Sequence, residues 1–447
     1  MATTSFSRTS GTPTNALKWT YSVWVKLSEL IDGDRWLLDF NTDSNNRSQI
    51  GWTHDNSLPQ LIVYEKVSSS TSQLFTTTQG FRDLGAFYNI VVSCDRTLAT
   101  QEDRTKIYIN GERVTDFHTT PNYPAQNVTG IINTAVDTLI GKYSQSTVYY
   151  DGLMSYVSFV DGTAYDASYF GETDSSSGIW KIKTSPSVTW GNNGFFLKMD
   201  TSSPGTDTSG NNNTFTASGT PTLTQDNPSN NFPIINKTMQ PMLYSNATIS
   251  NGGTTNTSNT SDYTLVCTMG ATKGKWYWEV KMGNAGNTRN VGVVRADQLR
   301  IAGNSSGFYP GGDGNATNFT SAWNGSTGFV QTNTAGTQVQ VTSGVTTTTT
   351  GDILGVALDL DSYTINFYKN GSADGTGTLS SAWVEDFVLP CARADHTQIM
   401  QFNFGNGFFG TTAVASSNAD AAGYGLFEYA VPTGYYTLCT KNLNTYG

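Results

Sequence analysis

The sequence is short of charge. Charged residues make up 13% of its 447 positions, about half of the ~25% usual in globular domains. There are 25 Lys and Arg against 35 Asp and Glu, so the formal net charge is −10, spread along the chain. A protein that binds nucleic acid needs a basic patch to neutralise phosphates. We therefore expect no nucleic-acid partner, and the diffuse acidity indicates no other partner either.

Long apolar runs are missing as well. No stretch approaches the ~18 consecutive apolar residues that a membrane span requires, so we expect no membrane insertion. The first ten residues contain no apolar segment of the secretory type. We therefore expect no signal peptide and synthesis in the cytoplasm.

Cysteine and histidine are rare and scattered. The histidines His54, His118 and His396 have no histidine two or four positions away, which argues against a zinc triad. The cysteines form no C-x-x-C pair, and buried free thiols are a simpler interpretation than a metal or redox site. The four cysteines are Cys94, Cys267, Cys391 and Cys439.

The chain is rich in short strands and turns. Helical periodicity is nearly absent, while β-branched and aromatic runs recur between Gly, Asn, Asp and Ser. In residues 19–27, apolar side chains alternate with Thr20, Ser22 and Lys26, typical of a half-buried strand. The pairs Asn110-Gly111 and Asn370-Gly371 each follow a strand and favour a type I′ hairpin turn. The sequence therefore predicts an all-β protein with two tandem antiparallel β-sandwiches.

Composition also predicts the domain boundaries. Residues 200–245 are mostly Ser, Thr, Asn, Gly and Pro, so we interpret them as a polar linker between domains over 1–199 and 246–410. The tail over 411–447 regains aromatic residues and should pack, either on the core of its own chain or on a neighbouring subunit.

Two sets of motifs carry family resemblances. The strands Tyr21–Val25, Phe87–Val92 and Lys106–Gly111, closed by Tyr150–Val157, make residues 17–171 resemble a laminin G or concanavalin A-like jelly roll. The motifs Gly274-Lys275-Trp276-Tyr277-Trp278-Glu279-Val280, Gly351 to Asp359, Tyr363 to Gly371 and Asn403-Phe404-Gly405 make residues 263–409 resemble a SPRY domain. Both families are bent β-sandwiches that usually serve as binding modules, although fold alone does not prove function.

The order of these two domains, with a polar linker between them, resembles virion proteins of tailed phages. This resemblance implies a virion surface protein, such as a tail fibre or another appendage, assembled in the host cytoplasm. It also implies other virion proteins as partners and a homo-oligomer, with a trimer as the first expectation. The alternatives are a purely structural capsid or tail protein and a glycoside hydrolase. The paired-carboxylate run of β-glucanases is absent from the sequence, so we expect no enzyme.

Three loop regions have the chemistry of a carbohydrate site, an aromatic ring beside amide or carboxylate groups. Each Trp in them has an alternative role, since a buried Trp commonly anchors a sandwich core. The candidate ligand-binding residues are Trp52, His54, Asp55 and Asn56 in the first domain, and Tyr309, Asp313, Asn315, Trp323 and Asn324 in the second.

Calcium is the one cofactor that the sequence leaves open, because jelly-roll lectins often hold it with loop oxygens. The candidate ligands are Asp39 and Asp43, and Asp200 and Asp207. Neither run has EF-hand spacing, and Asp residues in turns are usually there for backbone reasons.

Overall fold

The computed structural model describes residues 3–30, 33–55, 58–200, 202–238, 248–257, 263–284, 289–298, 319–325, 328–335, 337–394 and 398–447. It confirms the predicted all-β class. The chain divides into two compact units, Met1–Leu223 and Thr224–Gly447.

The first unit is built from short strands joined by turns. In chain order they are β1 (Ser5–Thr9), β2 (Lys18–Leu27), β3 (Arg35–Asp43), β4 (Asn46–Asp55), β5 (Leu58–Val67), β6 (Ser70–Gly80), β7 (Tyr88–Asp95), β8 (Thr105–Ile109), β9 (Glu112–Arg113), β10 (Asp137–Ile140), β11 (Gly152–Asp161), β12 (Gly171–Thr173), β13 (Trp180–Ile182), β14 (Phe195–Leu197) and β15 (Thr216–Ser218).

Apart from β12 and β13, which pair with each other, these strands form two antiparallel sheets packed face to face. One has the order β15-β1-β10-β3-β4-β5-β6, and the other has the order β14-β11-β2-β7-β8-β9. Phe40 of the first sheet meets Phe159 of the second, with ring centroids 5.3 Å apart. The core therefore lies between the sheets, as in other β-sandwiches.

Strand β2 follows the predicted alternation only in part. Tyr21 and Val23 face the core and are fully buried, as expected. Ser22 and Lys26, predicted on a solvent-facing side, are buried too, each 1% exposed. The reason is a further layer, formed by residues 163–190, which covers much of the outer face of this sheet.

The two Asn-Gly turns are confirmed. Asn110 and Gly111 have φ of 49° and 85°, and Asn370 and Gly371 have φ of 48° and 79°. Positive φ at both central residues is the requirement of a type I′ turn.

The second unit is also a sandwich. Its elements are β16 (Thr248–Ser250), β17 (Thr255–Thr257), β18 (Tyr263–Val266), β19 (Lys275–Asn284), β20 (Arg289–Arg295), β21 (Thr320–Asn324), β22 (Phe329–Thr334), β23 (Thr337–Ser343), β24 (Ile353–Asp359), β25 (Thr364–Lys369), β26 (Ser372–Thr378), β27 (Val388–Ala394), β28 (Ile399–Asn403), β29 (Phe408–Phe409), β30 (Thr412–Ala413), β31 (Tyr436–Thr437) and helix α1 (Thr440–Tyr446).

One sheet of this unit has the order β16-β17-β28-β19-β24-β25-β26, and the other β18-β27-β20-β21-β22-β23. Trp276 and Trp278 of β19 share one buried cluster with Val291 and Trp323 of the opposite sheet. The core again lies between the sheets.

The segment predicted as a linker is divided between the two units. Residues up to 223 belong to the first unit, where Phe6 of β1 pairs with Ala217 of β15 and Phe215 packs edge-on against Phe195 at 4.7 Å. Residues from 224 belong to the second unit, whose core includes Phe232. The polar side chains of residues 200–238 lie in turns within the two units. Composition alone does not distinguish such turns from a linker. Residues 239–247 lie outside the described part.

The C-terminal tail packs on its own unit. Strand β31 pairs in parallel with β19 through Trp276 and Tyr436. Phe427 is fully buried against Tyr277, with ring centroids 5.1 Å apart. Of the two alternatives left open by the sequence, the first is therefore observed.

Candidate functional site

The two tryptophans predicted to stack on a ligand belong to the cores. Trp52 on β4 is fully buried and packs edge-on against Phe81, with ring centroids 4.6 Å apart. Trp323 on β21 is also fully buried, and its Nε1 donates a hydrogen bond to Oδ2 of Asp374 at 2.7 Å. Both rings lie on core-facing strand positions that solvent does not reach, which agrees with the alternative role of each Trp as a core anchor.

The remaining predicted ligand-binding residues do not form a site within the described residues. His54 is exposed, and its Nδ1 accepts a hydrogen bond from the Gly33 backbone at 3.0 Å. Asn324 is 7% exposed and donates to Gln331 at 3.4 Å. These two belong to different units. The Asp55 side chain and all of Asn56, Tyr309, Asp313 and Asn315 lie outside the described residues.

Of the four predicted calcium ligands, three are either exposed or already accept hydrogen bonds from backbone N–H groups of a turn. Oδ1 of Asp43 accepts the backbone N–H groups of Asn45 and Asn46 at 2.7 and 2.9 Å. Asp207 accepts the N–H groups of Phe196, Ser209 and Asn213 at 2.7 to 2.8 Å. Asp200 is exposed. The backbone role that Asp often has in turns therefore accounts for Asp43 and Asp207.

Asp39 is different, because its carboxylate is fully buried. Its Oδ2 accepts hydrogen bonds from Asn41 Nδ2 at 2.6 Å and from the Ser144 backbone at 3.2 Å. The amide of Gln49, the residue opposite it on β4, also faces this carboxylate. Burial raises the pKa of Asp39 to about 6.

The residues around Asp39 do not fit calcium. The ion takes six to eight oxygen ligands, usually from several carboxylates. Among the described residues, no group of three or more His, Cys, Asp or Glu side chains is placed to hold a metal ion. Asp39 is a single carboxylate close enough to the guanidinium of Arg47 to feel its positive charge. We derive no function through calcium here.

A surface that the sequence reasoning missed lies on the outer side of the β2 sheet. Ser158 of β11 pairs with Ser22 of β2 on one side and with Phe196 of β14 on the other. The layer over residues 163–190 is fixed above this face because the Tyr165 backbone donates to Thr20 Oγ1 at 2.8 Å. The indole of Trp180 likewise donates to Asn89 at 3.0 Å.

At the border of this layer three aromatic rings form what we call the Tyr156 platform: Tyr156, Trp190 and Phe196. Trp190 stacks on Phe196 with centroids 5.4 Å apart and planes inclined by 15°. Tyr156 meets Phe196 at 5.9 Å. Phe196 is buried, whereas Tyr156 and Trp190 are half-buried, so the platform presents two rings to solvent on a buried support.

The backbone at Tyr156 is unusual. The register of β11 against β2 shifts between Ser155 and Ser158, and Tyr156 has φ of +52°. Residues other than glycine rarely adopt positive φ, and β-bulges commonly redirect a side chain. Such strain persists where the surrounding structure enforces it, often at functional positions.

Beside the platform lies a shallow depression of about 160 Å³, a volume that includes its open mouth. Almost none of this space is left for a ligand atom, so a ligand here would lie against the rings and not inside a cavity. Its lining contains no carboxylate and comprises Ser22, Trp24, Tyr156, Ser158, Phe170, Lys183, Pro186 and Phe196.

The buried carboxylate of the second unit is structural. Glu279 is fully buried and accepts hydrogen bonds from Tyr277 Oη, Asn403 Nδ2 and the backbones of Glu428 and Tyr429, at 2.9 to 3.2 Å. Burial raises the pKa of Glu279 to about 7. With four donors around it, the carboxylate holds the C-terminal tail onto β19.

Comparisons with known proteins agree with this architecture. Residues 2–168 match the family model of the concanavalin A-like lectin/glucanases superfamily, and residues 275–407 match that of the SPRY domain. The chain thus carries a laminin G/concanavalin A-like domain and a SPRY domain. Both kinds of domain commonly bind proteins or carbohydrates, which suggests a β-sandwich binding or scaffold module. The concanavalin A-like match includes Tyr156 and stops short of Trp190 and Phe196.

Solved structures show only distant similarity. The SPRY domain of human HERC1 is 17% identical over 35% of this chain and 91% of that one, with a TM-score of 0.28. The TRIM65 PSpry domain is 15% identical over 35% and 83%, with a TM-score of 0.27. A heptameric SAP-like pentraxin from Limulus polyphemus is 15% identical over 36% and 70%, with a TM-score of 0.26. These values are too low to bear on function.

A search of curated proteins returns no significant match. In the part of the chain that the structure describes, no helix is long and apolar enough to cross a membrane.

Proposed function

We propose that this protein is a non-enzymatic binding protein whose concanavalin A-like domain holds a carbohydrate on the Tyr156 platform. The observation that carries the proposal is the pair of half-buried rings, Tyr156 and Trp190, presented on the buried ring of Phe196. Flat aromatic rings pack against the apolar face of a sugar, and nearby polar groups can bond its hydroxyls. The superfamily to which residues 2–168 match includes lectins by name.

The setting we propose is the surface of a phage virion, as a tail fibre or another appendage, with a host-surface glycan as the ligand. Support comes from the order of the two domains, which resembles tailed-phage virion proteins. Other virion proteins would be its partners, and a homo-oligomer, most simply a trimer, its assembly. A shallow site binds weakly alone, but several copies on one particle raise the effective affinity.

The test is a binding measurement with a matched control. The purified protein is titrated with β-1,3- and β-1,4-linked glucose hexamers and applied to an array of bacterial surface polysaccharides. Tyr156→Ala and Trp190→Ala should each weaken binding at least tenfold without unfolding the domain. Tyr64→Ala is the control, because Tyr64 is a half-buried tyrosine of β5, in the opposite sheet.

Two outcomes would replace the proposal. If the oligomeric protein binds no glycan, a structural role in the virion remains. If incubation with polysaccharide releases new reducing ends, the protein is a glycoside hydrolase. Its catalytic carboxylates would then lie outside the depression, whose lining contains none.

A further inference from the structure

A second pair of aromatic rings lies in the layer that covers the β2 sheet. Tyr165 and Tyr169 have ring centroids 4.3 Å apart, inclined by 48°. Tyr165 is half-buried, and Tyr169 is 39% exposed. The short helical turn that carries Tyr169 is fixed because Asp166 accepts the Ser168 N–H at 2.8 Å. The second pair is therefore positioned by the fold and presents a ring to solvent.

Residues 188–190 connect the Tyr165–Tyr169 pair with the Tyr156 platform. The backbone of Thr189, next to Trp190, donates a hydrogen bond to Tyr165 Oη at 3.2 Å. Trp190 and Tyr165 also pack against one buried cluster that contains Phe170. These contacts place the two groups of rings beside each other, and we call the combined set the aromatic strip: Tyr156, Phe196, Trp190, Tyr165 and Tyr169.

The cations beside the strip already have partners. Lys183 Nζ donates to the Ser168 carbonyl at 2.8 Å and lies 3.8 Å from a carboxylate oxygen of Glu172. Lys198 Nζ lies 6.0 Å from the centroid of the Phe196 ring. A charged ligand would have to compete for these groups, whereas an uncharged one would not. The charge pattern therefore favours an uncharged ligand.

Resting on the carbohydrate function above, we propose that the aromatic strip binds an internal stretch of a linear, uncharged polysaccharide. One sugar packs at Trp190 and another, further along the same chain, packs at Tyr169. A ligand that reaches both places gains a second aromatic contact without losing rigid-body freedom again. An aromatic contact is worth of order 1 kcal/mol beyond area burial, so the gain is about fivefold to tenfold in affinity.

The experiment compares ligand lengths on the full chain. Glucose oligomers of two and six units, β-1,3- and β-1,4-linked, are titrated into the protein, together with fragments of the same lengths from any array polysaccharide that binds. The six-unit ligand should bind about tenfold more tightly than the two-unit ligand. Tyr169→Ala should reduce the six-unit affinity more than the two-unit affinity and so remove most of this difference, and Tyr169→Phe, which keeps the ring, should preserve the difference.

The outcomes separate this inference from the function on which it rests. Equal affinity for both lengths, or an equal loss for both in Tyr169→Ala, would overturn the extended strip and leave the Tyr156 platform standing. No binding at either length would overturn both. Unfolding is checked by near-UV circular dichroism of each variant, with Tyr64→Ala again as the control.

Discussion

The buried ion pair of the first unit offers the sharpest test of the packing. Arg96 Nη2 contacts both carboxylate oxygens of Glu65 at 2.9 Å, and the two side chains are 2% and 0% exposed. Glu65 also accepts a hydrogen bond from the Ile131 backbone at 3.0 Å, and Arg96 donates to the Val128 carbonyl at 3.2 Å. The pair therefore connects β5 in one sheet with the turn after β7 in the other.

Replacing Glu65 by Ala should cost about 3–5 kcal/mol of unfolding free energy, the range measured when one partner of a buried pair is removed. The guanidinium of Arg96 would keep the Val128 carbonyl and its contact with the Cys94 thiol but would lose its anion. Arg96→Ala should cost less, because the carboxylate would still accept bonds from Ser48, Ser72 and Ile131. The double change Glu65→Leu with Arg96→Met should be milder than Glu65→Ala, since it leaves no buried charge unpaired.

Urea unfolding followed by hydrogen-exchange mass spectrometry assigns the loss to one unit. Peptides from β5 and β7 should lose protection, while peptides of the SPRY domain should not change. The matched control is Arg113→Ala, since Arg113 meets Asp103 at 3.5 Å in solvent and such pairs contribute little. A cost below about 1 kcal/mol for Glu65→Ala, or a double variant weaker than either single one, would refute the reasoning.

Three further predictions follow from other buried groups. Glu279→Ala should leave the Glu428 and Tyr429 N–H groups unpaired, at a cost in unfolding free energy of about 1–3 kcal/mol each, so their amides should exchange faster with solvent. Unchanged exchange would contradict the conclusion that Glu279 holds the tail onto β19. Asp39 has a folded pKa of about 6, above its usual value of 3.8, so folding binds its proton more tightly and the first unit loses stability as pH rises from about 4 through 6. Asp39→Asn should remove this loss, and unfolding free energies at pH 4 and pH 8 measure it; an unchanged pH profile would argue against a buried acid. Trp323→Ala should destabilise the SPRY domain by about 3–5 kcal/mol in thermal unfolding, whereas a folded variant with altered glycan binding would restore Trp323 as a ligand contact.

Local patterns predicted the parts of the fold that depend on neighbouring residues. The Asn110-Gly111 turn needs only two residues with positive φ, and the structure has them. The alternation in β19 placed Trp276 and Trp278 on one face, and both belong to the core. Tyr277, on the other face, is buried as well, because the tail brings Phe427 onto it from 150 positions away. Alternation carries no information about that second layer.

The proposed binding surface could not be predicted from the sequence for a related reason. Trp52 and Trp323 stand beside polar residues in the chain, but their positions on β4 and β21 face the cores. Tyr156 reaches the outer face through a bulge, which interrupts the period-two pattern. Its neighbours Trp190 and Phe196 come from another segment. The one signal available was the concentration of aromatic residues within the otherwise polar stretch 180–196.

The low, acidic charge now has a local explanation. Aspartates repeatedly accept the N–H of the residue two positions on, which forms an Asx-turn and stabilises the chain reversals that many short strands require. Because these turns are spread along the chain, their carboxylates are spread as well. Each adds to the net negative charge, but among the described residues they do not gather at one site. Carboxylates that stabilise turns in this way do not indicate a partner, and the function that we propose depends instead on half-exposed aromatic rings. Such turns begin at Asp83, Asp95, Asp166, Asp174, Asp207 and Asp420.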